Sequence, residues 1–101
     1  MIHVVAYREV LPGCMEKFLK ILMENLPNVL AEEGCLRYEP CFDAAEGPDA
    51  DKTGTGITFV ETWESEEHLQ AHLKTAHMAA YFAAVEPLCG PGSSIKVLRP
   101  C

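Results

Sequence analysis

A chain of 101 residues suffices for one small domain, and 49% hydrophobic against 23% charged residues is the balance of a folded protein, not a disordered one. Eight Lys and Arg against fifteen Asp and Glu give a net charge of −7, and the scattered cations exclude the basic surface that nucleic acids require. No apolar run approaches the roughly 20 residues needed to span a bilayer, and the opening MIHVVAYREV lacks the features of a secretion signal, so a cytoplasmic, non-membrane protein is expected.

Residues 2–9 alternate Ile2, Val4 and Ala6 with His3, Val5 and Tyr7, which predicts a strand apolar on both faces and ended by Pro12-Gly13. From Met15 the positions Phe18, Leu19, Leu22, Leu26, Val29 and Leu30 trace one face of the longest helix. Pro27 lies inside that pattern and predicts a kink or break near Asn25 and Leu26, with Gly34 as the stop. CLRYEPCF, residues 35–42, predicts a second strand with Leu36 and Tyr38 on one face, and Pro40 marks it as an edge or bulged strand. Residues 43–56 carry Gly, Pro and acidic residues without periodicity and predict an exposed, mobile loop.

ITFVETW, residues 57–63, predicts a third strand whose period of two puts Ile57, Phe59, Glu61 and Trp63 on one face. Ser65 is an N-cap, followed by a helix with Leu69, Leu73 and Ala76 inward, a break near Thr75–His77, and a second segment turning Met78, Tyr81, Phe82 and Val85 inward. Pro87 and a Gly90-Pro91-Gly92 turn close the helices, and IKVLR, residues 95–99, predicts the last strand. The order β-α-β-β-α(α)-β is that of an α+β, ferredoxin-like fold: one antiparallel sheet with helices on one face. Val60 and the two-sided first strand predict that a second copy covers the open face, closing a dimeric α+β barrel.

Cys14, Cys35, Cys41, Cys89 and Cys101 are odd in number and include no C-x-x-C pair, which argues against a disulfide framework and a zinc site and for a reducing compartment.

The stretches EEGCLRYE (Glu32–Glu39) and ETWESEEHLQAHLKTAHMAAY (Glu61–Tyr81) resemble the antibiotic biosynthesis monooxygenase domain family, especially its small quinol monooxygenases. The resemblance runs through nearly the whole chain, apart from a longer 43–56 loop. It implies a homodimer with one pocket per subunit between sheet and helices, and oxygenation of a quinol or anthrone-like phenol by molecular oxygen without flavin, metal or haem. Other relatives degrade haem or isomerise small sugar-like signalling compounds. The haem-degrading relatives carry an Asn on the first strand that residues 2–9 lack, and only Lys74 is at hand to hold a phosphate. A dimer that binds a small ligand without turning it over is a further reading, since a fold does not dictate chemistry.

Within this frame His72, at the border of the inner stripe, is the candidate general base, because histidine ordinarily titrates near neutrality. Trp63 reads either as a core indole or as an aromatic wall whose N–H donates to a substrate oxygen. Glu61, on an apolar face, needs a partner such as Arg37 or Arg8 or acquires a raised pKa, and is the alternative base or proton relay. Tyr38 and Tyr7 are candidate pocket hydroxyls, and Phe59, Tyr81 and Phe82 candidate substrate-binding walls. His77 reads as a residue of the pocket mouth or as a cap on a freed helix-end carbonyl. His68 and His72 share the i, i+4 spacing of a metal pair, but no third ligand is evident, so no metal is expected.

Overall fold

The computed structural model describes residues 1–43 and 55–101. The chain runs β1 (Ile2–Val10), α1 (Met15–Leu30), β2 (Cys35–Cys41), β3 (Gly56–Trp63), α2 (Glu66–Leu73), α3 (Ala76–Val85), a 3-10 turn (Glu86–Leu88) and β4 (Cys89–Leu98). The four strands pair antiparallel in the order β2-β3-β1-β4, which is the ferredoxin-like α+β arrangement. Most of the 43–56 loop, residues 44–54, lies outside the described residues, and Gly56 already belongs to β3.

The register Ile2↔Trp63, Val4↔Glu61, Ala6↔Phe59 places the buried residues of β1 and β3 on one face. Against that face pack Met15, Phe18, Leu22 and Val29 of α1, Leu69 of α2, and Met78, Tyr81 and Val85 of α3. The opposite face of β1 is open: Val5 is 40% exposed, so the two-sided apolar pattern of this strand is not used within one chain. On the edge strand β4, Ile95 and Val97 are exposed although they share the helix-facing side with Ala6 and Val4.

The helix starts follow their caps. Ser65 Oγ accepts the His68 N–H at 3.2 Å, and Thr75 Oγ1 accepts the Met78 N–H at 3.3 Å, so α2 and α3 part at Lys74 and Thr75, just ahead of the expected break near Thr75–His77, and His77 is already helical. Gly34 takes φ +81, in the left-handed region, and the ring of His68 occupies the space a side chain there would need.

Several expectations are corrected. α1 does not break at Pro27 but runs on to Leu30, because Pro27 sits exposed in the last turn, where one backbone donor is lost, and the buried Val29 anchors the residues beyond it. Leu30 faces solvent rather than the core. A register shift between Cys35 and Arg37 breaks the alternation of β2, so Leu36 is 58% exposed while Tyr38 is buried. In α2 the buried pair is Leu69 and His72; Leu73 is 40% exposed and reaches only the cavity edge, and Ala76, the first residue of α3, is exposed. Gly90-Pro91-Gly92 forms the start of β4 rather than a turn: an edge strand tolerates Pro91, and the Glu9 carboxylate fills the space side chains at 90 and 92 would take. Gly92 N–H donates to Glu9 Oε2 at 3.0 Å. β4 ends at Leu98, so Arg99 lies beyond it and pairs with Glu66 at 2.9 Å.

Candidate active site

Between the helical layer and the sheet lies a cavity of about 450 Å³, bounded by Ala6 and Arg8 of β1, Tyr38 of β2, Phe59 and Glu61 of β3, Leu69 and His72 of α2, Met78, Tyr81 and Phe82 of α3, and Ser93 and Ile95 of β4. Its walls are largely apolar and aromatic, with few polar groups, as a small-molecule site requires.

His72 enters from α2 because the Ser65 cap fixes the helix start and with it which residues face the sheet. Its side chain is 2% exposed, and Nδ1 lies 2.8 Å from Oε2 of Glu32. The ring sits 4.6 Å from that of Trp63 at 36° and 5.6 Å from that of Tyr38. Nε2 makes no hydrogen bond among the described residues, and the residue borders the cavity. A carboxylate on Nδ1 holds that nitrogen as the N–H donor and leaves Nε2 as the acceptor. Glu32 comes from the turn after α1, which Gly34 closes, and its side chain is 13% exposed.

Glu61 is buried, and its Oε1 accepts the indole N–H of Trp63 at 2.9 Å. Burial pushes its pKa above the usual carboxylate range; the indole bond pulls it down, and the nearby charge of Glu32 adds to the rise. Neither expected arginine reaches it, since Arg37 pairs with Glu39 at 2.7 Å and Arg8 pairs with Glu86. Folding therefore favours the protonated form: the stability this group contributes is fully present below the unfolded carboxylate pKa and is lost as pH rises through the higher folded value. Glu61→Gln, which keeps an oxygen for the indole, should raise the melting temperature at neutral pH, and the gain should vanish below about pH 4. Calorimetry across that range checks it, and an unchanged or lower melting temperature at pH 7 would contradict it.

Trp63 is 0% exposed and does not border the cavity; its N–H is taken by Glu61, so the structure leaves no donor there for a substrate oxygen. Tyr38 and Tyr81 border the cavity, and burial raises the pKa of both, which keeps them as neutral hydroxyls rather than bases. Phe59 lies buried 5.7 Å from Tyr38, while Phe82, 38% exposed, stands at the cavity edge instead of turning fully inward. Tyr7 touches the cavity from β1, but strand alternation sends its side chain to the other face, where its hydroxyl lies over Gly56. His77 lies outside the cavity: Nδ1 is 3.1 Å from Asn25 Oδ1 and Nε2 is 3.1 Å from Glu32 Oε2, so it neither lines the pocket mouth nor caps a carbonyl.

Comparison with known proteins places this geometry in a family. The family model described as "Antibiotic biosynthesis monooxygenase" matches residues 1–84. "Probable quinol monooxygenase YgiN" of Escherichia coli K12 is 40% identical over 93 residues, covering 85% of this chain and 86% of the relative. The chain belongs to the antibiotic biosynthesis monooxygenase family. The fold agrees: a conserved protein from Methanosarcina mazei Go1 matches 99% of this chain and 92% of its own at a TM-score of 0.85 and 25% identity. The crystal structure of an antibiotic biosynthesis monooxygenase matches 100% and 99% at 0.85 and 19% identity.

Within this monooxygenase the sequence reading missed Glu32, which had no assigned role although it opens the EEGCLRYE stretch. The pair Glu32 and His72 is 40 residues apart in sequence, and only the return of α2 over the turn after α1 joins them. His68, the other half of the i, i+4 pair, is 29% exposed and turns to Ser65 and Glu33, away from the oxygen that holds His72. Among the described residues no three His, Cys, Asp or Glu gather as metal ligands.

Proposed function

We propose that this monooxygenase oxidises a small quinol, anthrone or related phenol with molecular oxygen, and that His72 is its base. The observation that carries the reading is a buried imidazole that borders an aromatic-walled cavity, with Nδ1 tied to a carboxylate and Nε2 in no hydrogen bond among the described residues. Nε2 takes the phenolic proton. The phenolate is electron-rich enough to reduce oxygen itself, so the reaction needs no resident flavin, haem or metal. A C–O bond forms at a ring carbon bearing hydrogen, giving a hydroperoxide. Loss of that hydrogen and cleavage of the O–O bond release water, with the proton returned from His72, and leave the second oxygen atom as a carbonyl. Quinol and oxygen thus give a hydroxylated quinone and water. Tyr38, Phe59, Tyr81 and Phe82 supply ring contacts and exclude water from the anion. The name of the relative at 40% identity supports the quinol class.

Oxygen uptake on metal-free protein with a panel of hydroquinones, naphthoquinols and anthrones tests the reaction: one oxygen consumed per quinol is expected, and binding without uptake across the panel would reject it.

The same reading makes the chain a homodimer whose open sheet faces meet, supported by the exposure of Val5 on the face the helices leave uncovered in so small a protein. Light scattering should give twice the monomer mass at micromolar concentration, and a compact monomer would overturn the dimer. Five unpaired cysteines support a cytoplasmic setting.

A further inference from the structure

Glu32 does not serve His72 alone. The Oε2 atom that lies 2.8 Å from His72 Nδ1 also lies 3.1 Å from Nε2 of His77, on the next helix. The other nitrogen of His77 is committed: Asn25 turns its amide nitrogen to Met78 Sδ at 3.4 Å, and its Oδ1 accepts from Asn28 at 3.2 Å, so the 3.1 Å contact from His77 Nδ1 to that oxygen requires Nδ1 to carry hydrogen. A neutral His77 therefore presents a bare lone pair at Nε2 to a carboxylate oxygen. Nε2 is buried 3.1 Å from that oxygen and is not aligned with it for a hydrogen bond. A proton on Nε2 turns the same contact into an ion pair at 3.1 Å.

Resting on the reading of His72 as base, we propose that Asn25, His77, Glu32 and His72 form one relay in which Glu32 positions His72 and the protonation of His77 sets how strongly Glu32 supports the His72 imidazolium. With His77 neutral, the full carboxylate charge faces His72 and favours proton uptake from substrate. With His77 protonated, the carboxylate is shared between two cations. Their nitrogens, bound to one oxygen, lie no more than about 6 Å apart, close enough for like charges to oppose each other. Glu32 is also faced by Glu61 from β3 and by Cys35 and Tyr38 from β2. His77 is faced by Glu24 and Asn25 of α1 and lies beside Tyr81 of its own helix. None of these groups is a cation, so the two histidines are the only cationic partners in this set. The pair then titrates as a coupled system rather than as two independent rings.

Nitrogen-15 NMR of the imidazole rings between pH 5 and 9 reads this without any turnover. His72 should hold the Nδ1–H tautomer and titrate in two steps. In His77→Asn it should titrate in one step at higher pH, and in Glu32→Gln its midpoint should fall. An Nε2–H tautomer for His72, or a midpoint unmoved in both variants, would overturn the relay. In turnover, Glu32→Gln should lower kcat roughly 10- to 10²-fold with KM little changed, and Glu32→Asp should restore part of it. Coupled imidazoles in a chain that oxidises no quinol would remove the proposed reaction and leave the relay standing. Quinol turnover with independently titrating rings would remove the relay and leave the reaction.

Discussion

Replacing His72 with alanine should lower turnover of an accepted quinol by roughly 10²- to 10⁴-fold, the usual contribution of a positioned proton acceptor. The loss should fall on kcat more than on KM, because Leu69, Phe59 and Tyr81 still form the walls that hold the ring of the substrate. His68→Ala is the control on the same helix. His68 is a partly exposed residue of the first turn, tied to Ser65 and Glu33, so its loss can weaken α2 but removes nothing from the cavity. A general loosening of α2 would lower activity in both variants together; a base at position 72 lowers it in one. Activity should rise with pH, since only a neutral imidazole accepts a proton. Full activity in His72→Ala with an unaltered pH profile would reject the assignment and make Glu61 the next residue to test, through Glu61→Gln.

The elements themselves were legible because each carries a period that packing reinforces. The alternation of β3 names its buried face without error: Ile57, Phe59, Glu61 and Trp63 are all buried. The hydroxyl caps at Ser65 and Thr75 bound the helices because a local hydrogen bond decides each start. Expectations failed where one residue's worth of register depends on a distant strand. Leu36 faces solvent because β2 shifts against β3 beside it, and the Gly-Pro-Gly segment is strand because Glu9 of β1 receives it. Neither partner is adjacent in sequence, so neither signal is local.

For the site, face assignment reached His72, Glu61, Phe59, Tyr38 and Tyr81, which the structure does bring to one cavity. It could not reach Glu32 or the position of His77, since both follow from how the turn after α1 and the start of α3 meet above the sheet. It also left the indole N–H of Trp63 between a core role and a substrate oxygen. Two residues apart on one strand face, Trp63 and Glu61 satisfy each other first, which is the cheaper arrangement for a buried carboxylate.

That pairing gives Trp63 a large and pH-dependent effect on stability. Trp63→Ala removes a fully buried indole, at a cost of about 3–5 kcal/mol, and strips Glu61 of its donor besides. Against a total stability of about 5–15 kcal/mol, the variant should be close to unfolding at room temperature. Trp63→Phe separates the two losses, for it keeps most of the ring and deletes only the N–H. Without that bond the pKa of Glu61 rises further, because burial and the charge of Glu32 are no longer opposed. The difference between Trp63→Phe and the parent should then be smallest in acid, where Glu61 is protonated in both, and grow as pH rises through the folded pKa. Urea unfolding followed by far-UV circular dichroism measures this, since the variants lose the chain's one tryptophan and its fluorescence. Adding Glu61→Gln to Trp63→Phe removes the ionisable group, so the growth with pH should disappear while the packing loss remains. A difference constant from pH 4 to pH 8 would mean that the indole holds this face by packing alone.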